Sequence, residues 1–184
     1  MTTKDLAYTA LFVALYAILG LFPPIFLPFF NGVPITAQSM GPMLAGSILG
    51  AKRGALASAL FLLLVAIGLP LLAGGRGGIG SFLGVGGGYL IGFPIAAFFI
   101  GFMVQLFWLR LNFITLVIIN IIGGVGIVHL FGVLWLAYVA KISWLVALTS
   151  SLSFIIGDFL KALIASFIAI TIKKSVPLIH LKEE

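Results

Sequence analysis

The sequence predicts an all-α integral membrane protein of six transmembrane helices, and three observations predict it. First, hydrophobic residues make up 62% of the 184 residues and charged residues 8%, against roughly 25% charged in soluble domains; mean hydropathy is +1.33. Second, long apolar runs recur along the chain, separated by prolines and basic residues. Third, residues 73–89, AGGRGGIGSFLGVGGGY, interrupt those runs with closely spaced glycines, one arginine and one serine. Non-helical backbone cannot face lipid, where each unpaired N–H or C=O costs several kcal/mol, so this stretch must sit in water, line a cavity or be buried in protein. Glycine permits the close backbone approach a cavity wall needs. The stretch reads as one wall of a small-molecule site, and the rest of the chain as a bundle holding it, a single transmembrane domain over residues 1–184.

Composition removes several function classes. The net charge of +6 comes from scattered basic residues between apolar runs, which read as topology determinants rather than a nucleic-acid face. Without cysteine there are no disulfides, thiol nucleophiles or Cys-ligated metals. The first apolar run has no A-x-A cleavage pattern before Pro23, so it is read as a mature span.

Leu6 to Phe22 is the first span, long enough with its polar flank to cross a hydrocarbon core needing about 20 residues. It carries Ala7, Ala10, Ala14 and Ala17 at spacings of three and four, a flat strip for internal packing or for docking a separate partner. Pro23 to Pro34, PPIFLPFFNGVP, cannot be helical with four prolines. It reads either as a greasy lid over a pocket or as an interfacial aromatic belt. Ile35 to Gly50 is a short small-residue helix suited to burial, ended by Lys52-Arg53. Gly54 to Leu72 is the third span, Gly88 to Trp108 the fourth, with Pro94 near its start, and Asn112 to Tyr138 the fifth. As one straight helix, Ser143 to Ile172 would overrun a core of about 30 Å at about 1.5 Å per residue. A break is therefore expected around Thr149-Ser150-Ser151, Ser153 and Gly157, placing Asp158 in a first helical turn, where the positive end of the dipole favours a carboxylate.

Six spans put both termini on one side. Lys4, Lys52, Arg53, Arg110, Lys173, Lys174 and Lys182 fall on that side, and Arg76 and Lys141 on the other. Basic residues accumulate in the cytoplasm, so the termini are expected to be cytoplasmic, with the proline-rich loop, the glycine-rich stretch and Asp158 toward the outside of the cell membrane.

The sequence offers little for catalysis. Asp158 is the only carboxylate within a span, so a paired acid and base is lacking. Gly80-Ser81-Phe82-Leu83-Gly84 is not a G-x-S-x-G elbow, and no H-E-x-x-H or G-x-x-x-x-G-K-[ST] occurs. No metal or cofactor is called for, and His129 reads as a bundle-facing or interfacial polar residue. Asp158 and Lys161 are the informative pair: ionisable residues within a span cost a few kcal/mol on insertion scales and usually serve function, and at i and i+3 these share a helix face. They are either an ion pair that only neutralises itself or part of a ligand site. In a site, Asp158 would engage N–H donors, and Lys161 or Arg76 a ligand carboxylate. Arg76 otherwise meets a lipid headgroup, Tyr89 stacks on the ligand or anchors at the interface, and Gln38 bonds to the ligand or to nearby backbone. Gly87, in the glycine-rich stretch, completes the candidate ligand contacts.

At this point the motifs become recognisable. VPIT (33–36), MLAGSILGAKRGALA (43–57), GLPLLAGGRGGIGSFLG (68–84), GGYLIGFPIAAF (87–98), GVLWLA (132–137) and GDFLKAL (157–163) together resemble the BioY family, the substrate-binding S component of energy-coupling factor (ECF) biotin transporters. The resemblance runs nearly end to end. It implies a six-helix S-component bundle that binds biotin from outside with high affinity, working with a transmembrane T component and two cytoplasmic ATPases. By the same resemblance Asp158 binds the ureido ring, Lys161 and Arg76 are candidates for the valerate carboxylate, and the Ala10/Ala14 strip is the docking motif for the T component. Two departures stand out: Gly84-Val85-Gly86-Gly87-Gly88-Tyr89 replaces the usual G-P-T-G-G-Y, and His129 stands where tyrosine is expected. The competing readings are an S component for another vitamin, and an assembly subunit whose glycines serve only helix contacts.

Overall fold

The computed structural model describes residues 2–24, 35–175 and 179. The proline-rich connection read as a lid or an aromatic belt lies, over residues 25–34, outside the described residues, as does Lys182. The described chain is helical apart from its turns and one short bridge.

Helix α1 (Thr3–Gly20) starts at a capping box: the Asp5 N–H donates to Thr2 Oγ1 at 3.2 Å and the Thr2 N–H to Asp5 Oδ2 at 2.8 Å, each satisfying an otherwise orphaned donor. Asp5 also meets Arg53 at 3.1 Å. Thr9, Phe12, Tyr16 and Leu19, three or four apart, form the buried face. Tyr16 stacks on Phe61 with centroids 5.0 Å apart and hydrogen-bonds Ser58. Ala7, Ala10 and Ala14 lie on the exposed face.

After one tight turn at Ala37–Ser39, α2 (Met40–Leu49) is buried along nearly its whole length. Gly50, at φ +82°, breaks the axis, and α3 (Ala51–Ala66) leaves in a new direction. The third span was expected to reach Leu72; it stops at Ala66 because Pro70 disfavours helical geometry in the residue before it and Gly68 turns the chain at φ +110°. The glycine-rich stretch is locally ordered. Leu72 and Arg76 exchange backbone hydrogen bonds at 3.0 and 3.2 Å, a closure that requires the left-handed conformations of Gly74 and Gly75. A single turn, α4 (Gly80–Leu83), leads into α5 (Gly87–Leu106), the central helix, with Pro94 inside it. It packs on α2, α3 and α7 through small residues: a Cβ at Gly101 would come within 2.2 Å of the Ala51 backbone nitrogen.

Asn112 caps α6 (Phe113–Asn120), its Oδ1 accepting the Thr115 N–H at 2.9 Å. The helix then widens through Ile121–Ile127 and resumes as α7 (Val128–Ala140). Such wide turns, uncommon within helices, favour functional sites.

Helix α8 (Trp144–Ser175) runs unbroken for 32 residues, which overturns the expected break before Gly157. The hydroxyls that were read as breakers bond back along the helix instead: Thr149 and Ser150 to the Val146 carbonyl at 3.0 and 2.8 Å, Ser151 to that of Ala147 at 2.9 Å. A helix accommodates that pattern without opening. Asp158 therefore sits mid-helix, not in a first turn, and the dipole argument for its charge falls away. At about 1.5 Å per residue the helix outruns a core of about 30 Å, so its first turns extend beyond the apolar layer.

Four helical stretches among the described residues are long and apolar enough to cross a membrane: 3–20, 87–106, 113–140 and 154–175. The chain is thus a multi-pass membrane protein. Between α2, α6 and α8, Ser47 donates to Asn120 Oδ1 at 3.1 Å, Asn120 Nδ2 to Ser166 at 2.9 Å and Ser166 to the Ala162 carbonyl at 2.6 Å, pinning three helices in the core.

Candidate binding cavity

At the end of the bundle where α5 begins, a cavity of about 580 Å³ opens between α5, α7, α8, the glycine-rich stretch and the turn before α2. That volume lies in the range of small-molecule sites. Of the residues the sequence nominated for ligand contact, Asp158, Lys161, Arg76, Tyr89 and Gln38 line it; Gly87 does not. A Cβ at Gly87 would fall on the Phe82 carbonyl and within 2.9 Å of Trp135 Nε1, so its place is behind the wall, where α5 meets α4 and α7.

Asp158 and Lys161 pair, Nζ to Oδ1 at 2.7 Å. Lys161 also donates to the Thr36 carbonyl at 2.6 Å and to Ser39 Oγ at 2.9 Å. An ammonium has three donors, so Lys161 is fully engaged with protein. Ser39 donates in turn to Asp158 Oδ1 at 2.9 Å. This hub explains how a carboxylate stands in the middle of a membrane helix: burying a charge is tolerable when it is paired and hydrogen-bonded. Both bonds to the carboxylate fall on Oδ1. Oδ2 faces His129 Nε2 at 3.5 Å, beyond hydrogen-bond length.

Gln38 bonds to backbone, one of the two alternatives open to it. Its Oε1 accepts the Ala73 N–H at 2.9 Å, and its Nε2 donates to the carbonyls of Tyr16 at 3.1 Å and Leu71 at 2.8 Å. One amide thereby staples the glycine-rich wall to α1. Arg76 donates from Nε to the Ala73 carbonyl at 3.2 Å and has no carboxylate partner among the described residues. Partial desolvation lowers its pKa, yet the side chain is exposed and a guanidinium stays charged at neutral pH. Tyr89 bonds Ser151 at 2.7 Å and sets its ring edge-on to His129 and Phe154. Gly132 leaves room for that ring, because a Cβ there would approach it to 2.3 Å.

Three contributors were not nominated from sequence. Ser39 and Thr36 complete the hub, and their signal was only a polar pair, Gln38-Ser39, opening an apolar run. His129, taken as a generic polar residue of the bundle, lines the cavity at 9% exposure. The site thus has a hydrogen-bonding hub around Asp158, a cation at Arg76, and walls that include Ile35, Leu72, Leu90, Phe93, Val128 and Phe154. It suits a small amphiphile with N–H donors at one point, an apolar body and an anionic group.

Comparison with known proteins places this arrangement. Residues 1–178 match the BioY family profile. The chain is 42% identical to the biotin transporter BioY of Rhizobium etli, over 97% of this chain and 98% of that protein. It is likewise 42% identical to the probable biotin transporter BioY of Bacillus subtilis, over 95% and 92%. A crystal structure of the S component for biotin from an ECF-type ABC transporter is similar with a TM-score of 0.89 and 40% identity, covering 95% of each chain. These relatives are named as transporters, not enzymes.

Proposed function

The chain belongs to the BioY family, and from that footing we propose that it is the biotin-capturing S component of an ECF-type uptake transporter. Asp158 takes an N–H of the ureido ring, Arg76 meets the valerate carboxylate, and the apolar walls enclose the thiophane. The observation that carries this reading is the complementarity inside one cavity: a carboxylate with one oxygen left over, and an exposed, cavity-lining cation with no carboxylate beside it among the described residues. Lys161, with its three donors taken up by protein, serves to hold Asp158 rather than to meet the ligand's carboxylate. Tyr89 forms the edge of the pocket, and Gln38 and Gly87 support its wall without touching the ligand.

The membrane arrangement belongs to the same proposal. Six crossings, at α1, the short α2, α3, α5, α6 with α7, and α8, make residues 1–184 one S-component unit. Both termini are cytoplasmic on the side rich in basic residues, and the cavity faces outward. The exposed Ala10 and Ala14 on α1 form the strip on which a transmembrane T component docks, with two cytoplasmic ATPases supplying the energy. Titration calorimetry of the purified protein with biotin tests the central claim. Tight binding is expected; no measurable heat with excess biotin overturns it, and a different vitamin co-purifying by mass spectrometry moves the site to that ligand.

A further inference from the structure

His129 is held in an unusual way for a buried imidazole. Its Nδ1 lies 3.0 Å from the Val125 carbonyl, which can only accept, so Nδ1 carries the proton. In the neutral ring Nε2 is then a bare acceptor. That atom is buried without a hydrogen-bond partner among the described residues, in a side chain lining the cavity. It faces a second acceptor, Asp158 Oδ2, at 3.5 Å. An unmet buried acceptor such as Nε2 is costly, and a donor placed between it and Oδ2 would serve both. Their separation lets a single N–H lie at hydrogen-bond distance from each.

We propose that His129 Nε2 and Asp158 Oδ2 form a two-acceptor notch that receives one ring N–H of the bound ligand, making His129 a specificity-determining residue. The inference rests on the biotin reading, where the donor is one N–H of the ureido ring. The wide turn at Ile121–Ile127 supplies the Val125 carbonyl that fixes the imidazole. The Tyr89 ring, edge-on with centroids 5.6 Å away, backs it. The charged and titratable groups that face His129 are Asp158 and Lys161 from α8 and Tyr89 from α5, with Arg76 lining the same cavity.

Calorimetry with the full chain separates the outcomes. His129→Phe keeps a ring and removes the acceptor; about a tenfold loss of biotin affinity is expected, the size of one hydrogen bond. Two biotin analogues, each with one ring N–H replaced by oxygen, complete a cycle. One of them should bind the unsubstituted protein more weakly, and that penalty should shrink in His129→Phe. Losses that simply add, or an unchanged affinity in His129→Phe, overturn the notch while leaving biotin binding intact. If that variant fails to fold, His129→Leu takes its place in the same cycle, with the same expected and overturning results. Absence of biotin binding to the unsubstituted protein removes the functional reading itself, and this inference with it.

Discussion

Helix α8 carries two buried polar clusters that differ in what they leave unsaid. Around Ser166, the Ser47, Asn120 and Ser166 side chains bond to one another and none of them lines the cavity. Around Asp158, the bonds from Lys161 and Ser39 converge on one carboxylate oxygen, and the other faces an equally unmet imidazole nitrogen at the cavity. Both clusters are buried, polar and surrounded by apolar helices, so burial of polar atoms does not separate a structural device from a binding one. On the proposed reading, the separating feature is hydrogen-bonding capacity left open toward a cavity.

Substitutions sharpen or break that contrast. The largest effect on ligand binding is expected for Asp158→Asn, which removes the charged acceptor. Hydrogen bonds to charged groups contribute about 1.5–3 kcal/mol, so affinity for biotin should drop by ten- to a hundredfold in calorimetry; an unchanged value would make the Asp158 cluster structural after all. Next comes Arg76→Ala, for which we expect about a tenfold loss toward biotin but little toward biotin amide, whose tail carries no charge. Equal losses for both ligands would return Arg76 to a headgroup role. Asn120→Leu should act in the opposite way. It breaks a buried network and lowers the melting temperature, at a cost of about 1–3 kcal/mol, while the folded fraction binds biotin as before. A shifted dissociation constant there would erase the distinction between the clusters. The smallest effect on binding is expected for Ala10→Trp or Ala14→Trp, which should leave it intact in the isolated protein yet abolish uptake by cells that supply the partner subunits.

Much of this was legible in the sequence, and the reasons for the rest are physical. Asp158 and Lys161 could be singled out because ionisable residues within an apolar run are costly wherever they are placed. Residues 73–89 could be singled out because backbone obeys the same logic. The continuity of α8 could not be read: Thr149, Ser150 and Ser151 are as compatible with a break as with hydroxyls folded back on carbonyls, and only the three-dimensional chain decides. His129 escaped because its significance lies in two distances, to Val125 and to Asp158, that no spacing in the chain reveals. Gly87 lies off the cavity for a related reason: a glycine in a glycine-rich run marks close approach, and the approach here is of Phe82 and Trp135. Gln38 stood undecided between ligand and backbone, and its partners, Ala73, Leu71 and Tyr16, come from three separated places in the chain.

That glutamine has a mechanical corollary. Through one carboxamide, the last turns of α1 are tied to residues 71 and 73 of the pocket rim. A tilt or slide of the first helix, whose outward strip is free of the bundle, must either rupture these bonds or drag the rim along with it.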